Sequence, residues 1–319
     1  MLGLRLYLLK ITKARIRGIM SKINLSDMTP KRNLALFFLV LTAVLWSLGG
    51  LLIKLVEWNP IAIAGSRSLI AAALILFIIK KPDFRFTIAK FAASFVYAAT
   101  VITFVYANKL TTAANAIILQ YTAPIYVAIF GAIFLKEKVR WYDVITILAV
   151  LGGMILFFID ELSPGSMLGN ILAIISGVFF ALVALLLRFQ KDDSPLDRIF
   201  WGNVMTAIIA IPFMFNTVPD SKSITGIILL GIFQLGFSYI LFSFAIKNVS
   251  ALEAVLIPII EPVLNPIWVA LVVYEIPGIY SLVGGGIVLT AVTFRCVYTY
   301  YLSKKKGLST NKQDFVEIS

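Results

Sequence analysis

Residues 104–142 read FVYANKLTTAANAIILQYTAPIYVAIFGAIFLKEKVRWY, and residues 242–280 read FSFAIKNVSALEAVLIPIIEPVLNPIWVALVVYEIPGIY. At an offset of 138, Phe104 meets Phe242, Ala107 meets Ala245, Lys109 meets Lys247, Ala113 meets Ala251 and Ala116 meets Ala254. Pro124 then falls on Pro262, Ile129 on Ile267, Ala132 on Ala270, Glu137 on Glu275 and Tyr142 on Tyr280. Ten identities in 39 ungapped positions, with a lysine, a proline, a glutamate and a tyrosine among them, mark an internal duplication. An offset of 134 carries it upstream: Val44, Leu48, Leu51 and Leu52 meet Val178, Leu182, Leu185 and Leu186, and Lys54 meets Arg188.

Each copy is made for lipid. Of 319 residues, 60% are hydrophobic and 14% charged, with a mean hydropathy of +0.96. A water-soluble domain carries about a quarter charged residues and has too little interior for so much apolar surface. One cysteine, Cys296, and no histidine exclude a disulfide framework, a Cys/His zinc site and a His-dependent catalytic triad. The sequence holds no P-loop and no dinucleotide fingerprint, so neither a cofactor nor ATP-driven pumping by this chain is expected.

A helix needs about 17–25 apolar residues to cross roughly 30 Å of hydrocarbon. Ten segments qualify: Leu34–Val56, Ile61–Ile79, Phe91–Asn108, Thr112–Leu135, Tyr142–Ile159, Met167–Leu187, Ile199–Phe215, Ile224–Ile246, Ala251–Tyr274 and Ile279–Tyr301. The expected fold is thus all-α and membrane-embedded, with a basic N-terminal tail (1–33), two five-helix repeats (34–160 and 161–302) and a C-terminal tail (303–319). The even-numbered links hold 11 Lys/Arg and the odd-numbered ones three, Lys54, Lys109 and Lys222. The positive-inside rule therefore puts the even links and both tails in the cytoplasm of a plasma-membrane protein. The charge of +12 reads as this topology signal and not as a nucleic-acid footprint. Met1–Ser21 lacks the long uncharged apolar core of a signal peptide, and Met1 and Met20 are both candidate starts.

An odd number of crossings per copy makes the second enter from the opposite face. The expected architecture is a pair of inverted repeats, which have two near-equivalent shapes, one open inward and one outward. The ordered, duplicated residues resemble the EamA branch of the drug/metabolite transporter superfamily. They are Trp46, Ser47, Gly49, Gly50 and Lys54 in span 1, Ala107–Lys109 with Ala245–Lys247, and the pairs Pro124/Glu137 and Pro262/Glu275. The resemblance covers Leu34 to about Tyr301 and departs at Gly284, Gly285 and Gly286, which have no counterpart at Thr146, Ile147 and Leu148. It implies ten helices, cytoplasmic termini, a central cavity from spans 1–4 and 6–9, and movement of small metabolites, often outward.

Ionisable groups inside a span cost about 2.5–3.5 kcal/mol on insertion scales and need a partner or a wet cavity. Glu261 lies eleven residues into span 9, near the bilayer centre, with Asn265 and Trp268 on its helix face and Pro258, Pro262 and Pro266 loosening the backbone around it. Such a face suits an amine or a proton; the bland alternative is a carboxylate buried against a basic neighbour or a freed backbone N–H that binds nothing. Arg67 in span 2 has no charged twin, its repeat region being Gly202–Asn203, and reads as a structural residue, in a salt bridge such as one to Glu261 or a bond to span-end carbonyls, or as an anchor for a substrate carboxylate. Glu253 opens span 9 and reads as a partner of the helix dipole or as a gate; Glu137 and Glu275 read as hydrogen-bond partners at helix ends.

Gln120 and Tyr121 in span 4, Trp46 in span 1, and Gln234, Ser238 and Tyr239 in span 8 bring polar tips into lipid that must be satisfied. The expected substrate site is drawn from Glu261, Asn265, Trp268, Gln120, Trp46, Tyr121, Tyr239 and Arg67, with Glu261 as the coupling group. The expected activity is secondary transport of an amino acid, amine or cationic compound, in the export direction and with protons as a coupling ion. A passive channel or a non-transporting scaffold are the alternatives, and a homodimer is left open. No metal, cofactor or enzymatic activity is expected.

Overall fold

The computed structural model describes residues 30–111, 113–157, 159, 166–190, 193–215, 218–264 and 279–316. Among them there is no strand. The helices are α1 (Pro30–Trp46), α2 (Gly49–Leu55), α3 (Pro60–Ile79), α4 (Ile88–Leu110), α5 (Ala113–Gln120), α6 (Ala123–Phe134) and α7 (Trp141–Phe157). The second half holds α8 (Met167–Phe189), α9 (Pro195–Met214), α10 (Ser221–Leu229), a π-helical segment (Leu230–Phe237), α11 (Ser238–Ala245), α12 (Ala251–Leu256), a 3-10 turn (Ile257–Ile259) and α13 (Ile279–Val316).

Eight helical stretches among the described residues are long and apolar enough to cross a membrane: Lys31–Leu55, Pro60–Ile79, Ile88–Leu110, Asn115–Phe134, Met167–Phe189, Pro195–Met214, Ser221–Ala245 and Leu282–Thr299. Trp141–Leu156 is a shorter apolar helix. These correspond to nine of the ten expected segments. The ninth expected segment is described only as far as 264, so Asn265, Pro266, Trp268 and Glu275 lie outside the described residues.

The helix starts follow local chemistry. Asn59 accepts from the N–H of Ile61 (2.9 Å), Thr87 from Lys90 (3.1 Å), Asp220 from Ser223 (3.0 Å) and Ser250 from Glu253 (3.1 Å), each satisfying a donor the helix cannot. Four of the expected spans are not continuous α-helix, and the interruptions have causes. Pro124 has no N–H to donate back to Gln120, and the helix breaks at Tyr121–Thr122 between α5 and α6. The first span breaks at Ser47–Leu48, just before Gly49, where a Cβ would come within 3.0 Å of the Gln234 amide. The eighth passes through the π-helical segment, and the ninth tightens to a 3-10 turn at Pro258.

Packing crosses between the halves. The most extensive contacts join α4 to α8, α3 to α9, α7 to α13, α4 to α9, α1 to α11 and α3 to the π-helical segment. In repeat terms these pairs are spans 3–6, 2–7, 5–10, 3–7, 1–8 and 2–8. An exchange of the two halves carries the set onto itself, since 3–6 becomes 8–1, as a twofold relation requires. The α7–α13 pair lies to the side of the remaining helices and is tight: a Cβ on Gly153 would meet the Gly284 carbonyl at 3.0 Å.

Cations hold the helix ends together in a repeated pattern. Lys54, at the end of span 1, donates to the Thr111 carbonyl at the end of span 3 (2.8 Å), and Lys109 donates back to the Val56 carbonyl (2.6 Å). Arg188, the repeat equivalent of Lys54, donates to the Ile246 (3.2 Å) and Lys247 (2.9 Å) carbonyls at the end of span 8. The same bonds sort the ends into two groups. Thr111 also meets Asn170 at the start of span 6, and Ser223 at the start of span 8 accepts from the N–H of Glu57. Glu137 at the end of span 4 meets Arg188 at the end of span 6 and the N–H of Ala251 at the start of span 9.

Candidate functional site

The interruptions in spans 1, 4, 8 and 9 meet in the interior, around one cavity. Trp46 reaches it from the end of α1, Gln120 and Tyr121 from the break before α6, Gln234 from the π-helical segment, Tyr239 from α11, and Glu261 from the turn of helix after Pro258. Arg67 of α3, Thr100, Val101 and Phe104 of α4, Phe180 of α8 and Leu235 complete the wall. Among the described residues, spans 1–4, 6, 8 and 9 contribute to the lining and span 7 does not. Gly202 of α9 lies against the Tyr97 ring, where a Cβ would come within 2.6 Å, and Asn203 donates to the Tyr97 hydroxyl (3.0 Å). Tyr97 therefore stands between span 7 and the interior.

The structure brings six of the eight expected site residues to this cavity: Glu261, Gln120, Trp46, Tyr121, Tyr239 and Arg67. The other two, Asn265 and Trp268, lie outside the described residues. Glu261 is 7% exposed and accepts a hydrogen bond from the Tyr121 hydroxyl, which also lies 3.0 Å from the Pro258 carbonyl. That carbonyl and the hydroxyl come together because the chain is loosened at Pro258 and Pro262. Gln120 donates to Ser176 of α8 (2.8 Å) and is thereby held against the other repeat.

Arg67 is 1% exposed. It forms no ion pair with Glu261 or with any other carboxylate among the described residues, so the expected structural salt bridge is replaced by a neutral partner: Nη1 donates to Gln234 Oε1 at 2.9 Å. The π-helical segment is what presents Gln234 here, and its Gly231 lets α3 approach, since a Cβ there would meet Ile70 at 2.6 Å and the Arg67 carbonyl at 2.9 Å. Among the described residues, neither Arg67 Nε nor Trp46 Nε1 has a hydrogen-bond partner.

Around Trp46 the wall is aromatic, with ring centroids at 5.2 Å to Tyr239, 5.6 Å to Phe180 and 5.6 Å to Phe242. Phe180 was legible in the duplication, because the 134-residue offset puts it on Trp46. Phe104 and its twin Phe242 were likewise part of the matched set, although neither was read as part of a site.

A second cluster of charge sits elsewhere. Arg295 of α13 pairs with Asp143 of α7 (2.8 Å) and approaches Glu253 (3.6 Å), which itself pairs with Arg32 of α1 (2.6 Å). Glu253 also completes a capping box with Ser250, in line with its expected place at the helix start. Weighing ionisable groups by depth picks out Glu261 and Arg67; the same rule applied to span 10 finds Arg295, the signal by which this cluster could have been read.

The described residues hold no group of three or more His, Cys, Asp or Glu placed to ligate a metal. What the interior offers is a small chamber whose wall carries a carboxyl group, a guanidinium and aromatic rings. A helical membrane protein with such a chamber at the seam of two repeats is built as a solute carrier is built. The chain belongs to the EamA-like transporter family, whose model matches residues 33–159 and 167–295, one match per repeat. It is thus a transmembrane transporter by family.

Similar proteins carry the same general description. An uncharacterized transporter of Archaeoglobus fulgidus is 29% identical over 198 residues, 60% of this chain and 70% of the relative. A second from the same organism, again an uncharacterized transporter, is 23% identical over 276 residues, 80% of this chain and 94% of the relative. A solved crystal structure of a protein 16% identical matches with a TM-score of 0.73 over 85% of this chain and 99% of its own, a likeness of fold alone.

Proposed function

We propose that this protein is a secondary transporter that moves a small metabolite across the plasma membrane by alternating access. The observation that carries the reading is the buried chamber bounded by both repeats, with Glu261 on its wall. Two features support alternating access. The pairing of spans 3–6 with 1–8, and of 2–7 and 5–10 each with itself, is what a twofold exchange of the halves would leave unchanged. The start of span 6 also bonds to the end of span 3, and the start of span 9 to the end of span 4, as inverted copies require. Both termini are assigned to the cytoplasm on the basic content of the even links.

Glu261 is the coupling group in this reading. A carboxylate in contact with one hydroxyl and a chamber can exchange a proton for a cationic group on the substrate, and that exchange would drive export. The test is counterflow and proton flux in proteoliposomes, comparing wild type with Glu261→Gln, whose amide keeps the shape of the acid. Coupled proton flux should disappear while the variant folds normally. Unchanged coupled transport would remove Glu261 from the mechanism. Ion conductance without saturation would favour a channel, and no flux of any solute from well-folded protein would favour a scaffold.

A further inference from the structure

We propose that the link between the second and third spans is a lipid-binding surface: Phe84, Phe86 and Ile88 enter the boundary between headgroups and acyl chains, while Lys80, Lys81 and Arg85 bind the phosphates of anionic phospholipids. The leaflet is the one facing the even links, assigned above to the cytoplasm.

A link that leaves a span and enters the next is ordinarily polar, because its side chains meet water. Residues 80–88 instead read KKPDFRFTI, with apolar side chains at 84, 86 and 88 alternating with Arg85 and Thr87. Phe84, Phe86 and Ile88 are 72%, 53% and 91% exposed. The two phenylalanines share a side of the chain, since the ring of Trp201 in α9 meets Phe84 at 5.3 Å and Phe86 at 4.6 Å, both edge-on. Large apolar side chains gathered in this way and left uncovered are a surface for an apolar phase. The same phase bathes the neighbouring helix flanks, where Phe77 of α3 and Phe91 of α4 are also exposed.

The link is held in place before any lipid arrives. The Asp83 N–H donates to the Asp197 carboxylate (2.9 Å), and the Asp83 carbonyl accepts from the Trp201 indole (3.0 Å) and from the Lys90 ammonium. The Asp83 carboxylate accepts from the Arg85 N–H (3.0 Å), and Thr87 caps α4. The Lys90 ammonium lies 5.4 Å from the Phe86 ring centroid and 5.6 Å from that of Trp201. A segment ordered by its own bonds loses little further freedom when a ligand covers it.

Charge selects the lipid. Lys80, Lys81 and Arg85 are exposed and form no ion pair among the described residues, and the one acid of the link, Asp83, lies 3.8 Å from Lys90. Cations beside aromatic and apolar side chains at a membrane surface favour an anionic leaflet, by about fivefold in binding for each Lys or Arg. An acidic soluble partner would also match the cations, but the link joins two spans and the bilayer surface is already within reach. Through Asp197 and Trp201 the link is tied to the start of span 7, so bound lipid would fix spans 3 and 7, one from each repeat, at a common depth.

The experiment places a nitroxide label at Ile88→Cys, in a Cys296→Ser background, on the full chain in nanodiscs of phosphatidylcholine with and without phosphatidylglycerol. Collisions with oxygen and with a water-soluble nickel chelate report what surrounds the label. High oxygen and low chelate access in the discs containing phosphatidylglycerol is the expected result. High chelate access in both discs overturns the proposal. Low access to both reagents means cover by protein, and added dipolar broadening would make that protein a second copy; either overturns it too. The charge is tested separately, on detergent-purified protein, by the phosphatidylglycerol concentration that raises the unfolding temperature. Lys81→Gln/Arg85→Gln should need about tenfold more of this lipid than wild type, with no difference between the two in phosphatidylcholine. A double variant that responds to phosphatidylglycerol as wild type does would overturn the assignment of the cations. Both sets of substitutions at the link change exposed side chains, and neither arm relies on the folding of the other's variant.

Discussion

Replacing Arg295 with Met should be among the most destabilising single changes in this chain, and the cluster around it says by how much. Its guanidinium lies 2.8 Å from Asp143 and 3.6 Å from Glu253, and the three side chains are 5%, 5% and 8% exposed. Glu253 keeps Arg32 at 2.6 Å when Arg295 is lost, so the charge stranded in the interior is that of Asp143. Breaking a buried pair in this way costs about 3–5 kcal/mol. Asp143→Asn should cost less, because an amide oxygen can still accept from the N–H of Arg140 (2.9 Å now) and Arg295 retains Glu253. The double variant strands no charge and should recover about 2 kcal/mol of the Arg295→Met loss. The Asp193–Arg198 pair is the control: Asp193 is 70% exposed, and Asp193→Asn should cost about 1 kcal/mol or less. Unfolding free energies from denaturing-detergent titration of the purified variants measure all four. A double variant whose loss equals the sum of the single losses would refute the assignment, since the charges would then be acting independently.

Gly177→Ala should cost about 1–3 kcal/mol in the same titration, because the added Cβ meets the Gln120 carbonyl at 2.7 Å and the Leu119 carbonyl at 3.2 Å, backbone that cannot step aside. Full stability in that variant would mean that α8 and the break in span 4 do not touch. Glu137→Ala removes the acceptor for the Ala251 N–H and the partner of Arg188, and is expected to lower the thermal midpoint with a loss of about 1–2 kcal/mol. Lys90→Met leaves the Asp197 carboxylate, now 2.7 Å from the ammonium and 5% exposed, without its cation; circular dichroism melts should show a drop comparable to that of Arg295→Met.

The membrane character, the duplication and most of the helices were legible in the sequence because lipid imposes long apolar runs and a copied half repeats its odd residues in order. Lys54 and Arg188 were visible as a matched pair, yet not what they hold, since the carbonyls they reach belong to helices distant in sequence. The prolines at 258, 262 and 266 announced a loosened ninth span, while the break at Pro124 in span 4 was not read from the sequence. Nothing in LGIFQLGF announces a π-helical segment, because an apolar run reads alike whichever hydrogen-bond register it adopts. For the same reason Gln234 was recognisable as a polar tip in need of a partner, and Arg67 as a charge in need of one, while their bond to each other was not. Asp143 and Arg295 escaped because each lies in a different half and their meeting depends on how spans 5 and 10 pair.

The cross-pairing of the halves also bears on how the protein is made. Synthesis delivers α1 to α7 first, but the principal partners of α1, α3, α4 and α7 are α11, α9, α8 and α13, none of which yet exists. The first repeat is therefore a unit of ancestry without being a unit of folding. Its small-residue and polar faces must wait in lipid until the second repeat threads between them, and cutting the chain at the link after α7 would yield two fragments that are each incomplete until they find one another.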